Sequence, residues 1–433
     1  MVERVGAGVT PGGPAAAVRR YVLAVLVVVY TFNFIDRQIL AILLPAIKAE
    51  FGVNDTILGF LAGSAFALFY ATLGVPIALL ADRWNRRNLI AVALAIWSSM
   101  TALSGIATNI VQLTLARIGV GVGEAGCSPP AHSIISDLYG PQERSTAMGI
   151  FTLGISGGIM IAYLAGGWVA ENIGWREAFL IVGLPGLALA LLVRFTIKEP
   201  VRGQSDGKRD SAARPGIVQV FRFLLGRKSF LHLAIGSGLA AFNGYAVISF
   251  FPTFLYRSHG MSLSEIGVWL GLILGIAGGL GFAGGGYVAD RLGRRGQRFA
   301  LWGVVGATMF AWLFHFPVFL VDNAYLVLGL FVFPAIFANF YLATTFAQIQ
   351  GLVGLRMRAV ASALLLFILN SVGLGLGPLF AGVLSDLLEG TFAADSMRYS
   401  LLVVAVVIGP WSAFHYLAAG RHIEDDLARS DDQ

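Results

Sequence analysis

Charge is what this sequence has least of. Only 12% of its 433 residues are Asp, Glu, Lys or Arg, against about 25% in soluble globular proteins. That excludes a soluble enzyme and a disordered chain, both of which need a polar exterior. Cysteine occurs once, as Cys127, so neither a disulfide framework nor a thiolate metal site is open to the chain. The six histidines, His132, His232, His259, His315, His415 and His422, show no metal-ligand spacing. A membrane hydrolase would need a nucleophile–base pair or a metal cluster. The chain therefore reads as no enzyme, with no metal and no cofactor. No cleavable leader is expected: residues 1–20 are rich in Gly, Ala and Pro, and the run that follows is too long for a signal peptide.

Apolar residues, by contrast, make up 57% of the chain and the mean hydropathy is +0.77. An outer-membrane barrel gives a weaker signal than this. Apolar runs fall near 21–45, 57–80, 88–107, 110–136, 145–171, 177–197, 229–255, 264–288, 298–319, 323–349, 359–386 and 398–419. Each is close to the ~20 residues a membrane helix requires. The fold expected is an all-α membrane protein of twelve transmembrane helices. Glycine is abundant, at 54 residues, as suits helices that pack closely in a bilayer.

The placement of Lys and Arg sets the orientation. Twenty-three of the 30 fall on the side of the N-terminus and the even-numbered loops. Four, Lys48, Arg176, Arg257 and Arg398, fall on the other, and Arg37, Arg117 and Arg194 lie within spans. This places both termini in the cytoplasm. It also accounts for the net charge of +6 without a nucleic-acid partner.

The chain repeats itself. Asp82-Arg83-Trp84-Asn85-Arg86-Arg87 follows the second span, and Asp290-Arg291-Leu292-Gly293-Arg294-Arg295 follows the eighth, 208 residues later. Arg144 before span five is echoed by Arg358 before span eleven. The domains expected are two pseudo-symmetric six-helix bundles, residues 1–197 and 229–433, the second ending in an acidic tail. Between them lies a cytoplasmic linker, 198–228. Within the linker, Ile217, Val220, Phe221, Leu224 and Leu225 have helical spacing beside Arg222, Arg227 and Lys228. This reads as an amphipathic helix on the membrane face.

Four charges lie inside spans: Asp36 and Arg37 in span one, Arg117 and Glu124 in span four. Arg117 and Glu124 are about two turns apart on one helix face. Counting the helical rise puts all four in one band near mid-membrane, where two acids can meet two bases. Intramembrane charges usually line a cavity or pair with each other. In the C-terminal half, by contrast, Glu265 to Asp290, 299–321, 323–355 and 359–385 carry no charge between their ends except Asp290 and Glu265 themselves. That half offers Phe242, Asn243, Phe337, Tyr341 and Asn370 as a cavity wall. One charged wall and one apolar wall suit an amphipathic substrate.

The run Gly286 to Arg295 fits G-x-x-x-D-R-x-G-R-R, and with its partial first copy it resembles the major facilitator superfamily over the whole chain. The first copy departs by having Ala78 and Asn85 at glycine positions, and Asn tolerates a left-handed turn. The resemblance implies two bundles rocking about a central site. It implies a cytoplasmic gate of Asp82, Arg83, Arg86, Arg87, Arg144, Asp290, Arg291, Arg294, Arg295 and Arg358, whose charge-assisted bonds cross the halves when that side is shut. Asn33-Phe34-Ile35-Asp36-Arg37, Gly121-Val122-Gly123-Glu124-Ala125 and Asp137-Leu138-Tyr139 resemble the spinster branch. That branch exports lysosphingolipids such as sphingosine-1-phosphate, or lysophospholipids, and some members are proton-coupled. The resemblance implies proton coupling at Glu124 and Asp36, and a head-group site at Arg37, Arg117 and Asn33. A monomer in a bacterial inner membrane, working with a lysolipid, protons and membrane lipids, is the reading; a proton-linked carrier of small organic anions or drugs is the alternative.

Overall fold

The computed structural model describes residues 16–203, 216–354 and 357–431. All secondary structure among these residues is helical. Twelve spans follow in order: α1 (Ala16–Phe51), α2 (55–83), α3 (Arg86–Gly105), α4 (110–138), α5 (Pro141–Asn172), α6 (Trp175–Thr196), α7 (Lys228–His259), α8 (Leu263–Gly293), α9 (Gln297–Leu320), α10 (Ala324–Gly351), α11 (358–392) and α12 (Ser396–Asp431). In hydrocarbon every backbone polar group needs an internal partner, and a helix supplies it.

The internal repeat is visible in the helix ends. Gly52 stops α1 at φ 62° and Gly260 stops α7 at φ 65°, a left-handed conformation that a Cβ disfavours. Two residues on, Asn54 Oδ1 caps α2 through the Ile57 amide (3.0 Å), and Ser262 Oγ caps α8 through the Glu265 amide (3.3 Å). Each pair is separated by the same 208 residues as the two arginine loops.

Several spans are not regular. π-helical segments interrupt α2 at Phe60–Ser64, α8 at Ile273–Ala277 and α11 at Leu369–Leu376. α4 breaks between Glu124 and Ser128, ahead of Pro129 and Pro130, and α10 breaks between Phe337 and Phe340, after Pro334. Proline removes a backbone donor and crowds the preceding turn. The bends leave the middle of the bundle with backbone and side chains aimed inward, as broken helices do at transporter sites.

α1 to α6 form one bundle and α7 to α12 the other. The halves meet along two related seams. Gly59 and Gly63 of α2 lie against the Pro378 and Leu374 carbonyls of α11, and Gly267 and Gly271 of α8 lie against the Tyr163 and Met160 carbonyls of α5. A side chain at Gly59, Gly63 or Gly267 would collide with the opposite backbone, and one at Gly271 with the Leu164 side chain.

The linker helix spans Ile217–Leu225 and divides its apolar residues between two faces. Val220 and Leu224 are fully buried against Leu352, Val353 and Ile423 of the C-terminal bundle. Val218, Phe221 and Leu225 are exposed. Residues 1–15 and 204–215, including Lys208, Arg209 and Arg214, lie outside the described residues.

Candidate functional site

The four intramembrane charges cluster in the N-terminal half. Arg37 donates to Glu124 Oε2 from Nη2 (2.7 Å) and Nε (3.2 Å). Its guanidinium packs over the rings of Phe34, Phe66 and Tyr70 at 4.8–5.1 Å, a cation–π cradle that holds the charge without another acid. Glu124 sits at the last helical position before the α4 break, with the Asn33 side chain beside its carboxylate.

The second acid and base do not pair through their charged ends. Arg117 Nη1 donates to the backbone carbonyl of Asp36 at 3.1 Å. Successive helical residues project about 100° apart, so the Asp36 carboxylate turns away from Arg37 toward α3. There its oxygens face the Thr101 hydroxyl and the Trp97 indole N–H. Asp36, Asn33, Arg117 and Glu124 are all buried.

Arg37 also lines a cavity of about 340 Å³, within the 300–1,000 Å³ of small-molecule sites. Tyr30, Phe34, Gln38 and Tyr70 stand beside it on the N-terminal wall. The opposite wall belongs to α7, α8, α9, α10, α11 and α12, and no Asp, Glu, Lys or Arg lines it among the described residues. Asn243, Phe337, Tyr341 and Asn370 are on this wall, and the Asn243 Oδ1 is unpartnered. Asn370 Nδ2 donates to the Leu366 carbonyl at 2.7 Å. Phe242 is elsewhere: one helical step from Asn243, it packs on Phe380 of α11 with ring centroids 5.6 Å apart. Arg117 stands behind the wall, on a small gap shared with Arg37 and Tyr245. Tyr70 and Tyr245 flank Arg37 and were not singled out from the sequence.

At the end of the bundle that carries Asp55 the halves are bolted together. The Asp55 carboxylate accepts both Arg257 Nη groups (2.6 and 2.7 Å), Lys48 Nζ (2.8 Å) and Ser385 Oγ (2.8 Å). Asp386 of α11 accepts the Asp55 and Thr56 amides (2.9 and 2.8 Å) and the Thr56 hydroxyl (2.5 Å). An acid from one half thus caps a helix of the other, where the helix dipole favours negative charge. These residues were missed. A signal was present: Lys48, Arg176, Arg257 and Arg398, the few bases on this side, each hold an acid, respectively Asp55, Glu50, Asp55 and Asp322.

At the arginine-rich end no ion pair crosses the halves among the described residues. Arg83, Asp290, Arg291, Arg294, Arg295 and Arg358 are exposed, and the Asp82 side chain lies outside the described residues. Arg86 differs from the expectation. It is buried inside the N-terminal half, bonded to Asp137, to Glu199 (2.7 Å), to Ser133 (2.8 Å) and to the Pro200 carbonyl (2.9 Å). Arg87 donates its amide to Glu199 Oε2 at 2.9 Å. Arg144 bonds the Ser136 and Tyr139 carbonyls. Asn85 is not left-handed: at φ −67° and ψ 112° it caps α3, accepting the Asn88 amide. Gly154-Ile155-Ser156-Gly157-Gly158 matches the letters of a hydrolase elbow, but it lies mid-way along α5 and not at the strand-to-helix turn that the elbow requires.

Comparison with known proteins agrees with this geometry. The profile of the Major Facilitator Superfamily matches residues 26–378. The chain is 35% identical over 409 residues to an MFS-type efflux pump of Mycolicibacterium smegmatis (strain ATCC 700084 / mc(2)155), covering 93% of each. It is 27% identical over 436 residues to protein spinster homolog 1 of Xenopus tropicalis, covering 95% of this chain and 82% of that one. Among solved structures it matches a bacterial homolog to the human lysosomal transporter Spinster, in an inward-facing and unoccupied conformation. The TM-score is 0.87 at 32% identity, over 95% of this chain and 99% of that one.

Proposed function

Because the chain belongs to the Major Facilitator Superfamily, and is a multi-pass membrane transporter resembling its spinster branch, we propose that it moves an amphipathic anionic or zwitterionic lysolipid, coupled to protons. The observation that carries the reading is the cavity: one permanent charge, Arg37, faces an apolar wall. A head group on Arg37 and a hydrocarbon chain on the C-terminal wall would satisfy both sides.

Arg37 is the head-group residue, with Arg117 and Asn33 behind it. When an anionic head group takes the guanidinium, Glu124 loses its partner. A buried carboxylate without a counter-charge is expensive, so Glu124 takes up a proton. Release of the head group restores the ion pair and the proton leaves. Asp36, buried without a counter-charge beside Thr101 and Trp97, is the second proton site. The arginine-rich loops face the cytoplasm, so the Asp55 bolt closes the outside and the cavity is reached from within. The bundles 1–197 and 229–433 then rock about this site, and Asp82 and Asp290 re-form the inner gate. The protein works as a monomer in a bacterial inner membrane.

A second reading, a carrier of small organic anions or drugs, is favoured by the relative from Mycolicibacterium smegmatis, which is an efflux pump. Reconstitution in liposomes separates the two. A labelled lysolipid should move under an imposed pH gradient and be blocked by unlabelled long-chain but not short-chain anions. Transport of short-chain anions alone would overturn the lysolipid reading.

A further inference from the structure

At the head-group site the halves meet through a pair of repeat-related residues. Tyr245 of α7 follows Arg37 of α1 by 208 residues, the spacing that separates the two arginine loops and also Gly52 from Gly260. Each lies fourteen residues before the end of its helix, at Phe51 for Arg37 and at His259 for Tyr245. The repeat therefore sets them at one depth, and both line the cavity of about 340 Å³. The Tyr245 hydroxyl is within hydrogen-bonding reach of the Arg37 side chain, although the two belong to opposite bundles.

The chemistry of this contact is one-sided. A guanidinium has only donors, so the phenol oxygen accepts from it and the phenol O–H is left to donate elsewhere. Other hydrogen bonds between the halves spend their donor: Ser64 Oγ gives to the Gly375 carbonyl (2.6 Å), and the Tyr163 hydroxyl to the Ile248 carbonyl (3.0 Å). Tyr245 is half-buried and shares its stretch of cavity with Tyr30, Phe34 and Tyr70. A ligand oxygen brought to Arg37 through this cavity meets a second donor, and that donor stands on the other bundle.

We infer that Tyr245 is a head-group residue: its hydroxyl and the Arg37 guanidinium form one two-donor site for an anionic phosphate or carboxylate, with one donor from each bundle. This inference rests on the lysolipid reading above, which supplies the anion. Hydrogen bonds to an anion are roughly twice as strong as neutral ones, so the hydroxyl favours an anionic head group over a neutral or cationic one. The two donors stand on helices that move apart when the bundles rock. An occupied site therefore ties the halves together through the substrate itself.

The test titrates dodecyl phosphate, laurate, butyl phosphate and dodecyltrimethylammonium calorimetrically into the full-length protein in lipid nanodiscs, with empty nanodiscs as the blank. Tyr245→Phe keeps the ring and removes the hydroxyl. Its affinity for the long-chain anions should fall about tenfold, the loss of one hydrogen bond to a charged group. Dodecyltrimethylammonium, which has no acceptor, should bind both proteins alike or not at all. A loss confined to one long-chain anion names the head group as phosphate or carboxylate. Tyr245→His, which keeps an N–H donor, should lose less than Tyr245→Phe. Unchanged or tighter binding of both long-chain anions by Tyr245→Phe overturns the inference and leaves the lysolipid reading standing; the tighter result would mean that the hydroxyl only blocks Arg37. An equal loss for dodecyltrimethylammonium also overturns it, since the hydroxyl then acts through the shape of the pocket. Tyr245-dependent binding of butyl phosphate, with neither long-chain anion bound, keeps the two-donor site and overturns the lysolipid reading. Binding of none of the three anions overturns the two-donor site.

Discussion

The two halves share a backbone plan and almost none of their interior chemistry. Gly52 and Gly260, Asn54 and Ser262, and the two arginine loops keep one spacing through the chain. Yet the N-terminal half buries Asp36, Arg117 and Glu124 at its centre beside Arg37, and the C-terminal wall of the cavity bears no acid, lysine or arginine among the described residues. The helix ends and seam glycines therefore belong to the fold, which needs them twice. The charges occur once, as the transport chemistry proposed for them requires. A protein that binds both ends of an amphiphile has reason to keep its halves different.

Removing the charge from the N-terminal wall tests this difference most severely. Arg37→Ala leaves Glu124 buried without its partner, and breaking a buried pair costs about 3–5 kcal/mol. Thermal unfolding should shift strongly downward, and lysolipid binding should vanish. Adding Glu124→Gln should restore most of the stability but none of the binding. If the double variant binds like the native protein, Arg37 is a structural partner only.

Glu124→Gln alone separates holding from coupling. The amide keeps a hydrogen-bond acceptor for Arg37 but cannot exchange a proton. Binding should survive within a few-fold, while uptake driven by a pH gradient should fall to background. Retention of native dependence on the gradient would move the coupling role to Asp36.

On the other wall the corresponding change is steric. Ala311, one turn before His315 on α9, lines the cavity and is buried. Ala311→Phe fills the space, at an overpacking penalty of roughly 1–3 kcal/mol. Long-chain lysolipids should lose affinity and short-chain ones keep it. An equal loss for both would mean that the chain does not reach α9.

The parts of this arrangement that follow local rules could be read from the sequence. Apolar runs marked the spans, and the spacing of Asp36, Arg37, Arg117 and Glu124 marked one band. Which acid met which base could not be read, because it depends on the 100° step between neighbouring side chains: Arg37 turned to Glu124, and Asp36 turned to α3 instead of meeting Arg117. Phe242 missed the cavity by the same step. Arg86 looked like a gate residue because its motif is shared with the second loop. Glu199, at the start of the linker, made it internal, and among the described residues Arg294, its counterpart in the second loop, is exposed. The Asp55 bolt was beyond reach, since Asp55 finds Arg257 and Ser385 across 202 and 330 residues.

That bolt is where the unlike halves become complementary, and it gives the mildest test. Asp386 satisfies two backbone donors at the start of α2 from the opposite bundle. Losing a helix cap costs about 0.5–2 kcal/mol. In the alternating-access reading the cap is made only while this end is closed, so the loss would fall on one conformation and not on the fold. Asp386→Ala should therefore shift the population toward the state open at the Asp55 end. Asp82→Asn with Asp290→Asn should do the reverse, since each charge-assisted bond at the inner gate is worth roughly 1.5–3 kcal/mol and is made only when the arginine-rich end is shut. Spin labels placed across each end read both shifts as distance distributions. Opposite shifts in the two variants establish that the ends are alternate locks on one equilibrium. A shift in the same direction, or none for Asp386→Ala, would reduce the bolt to a static contact between bundles.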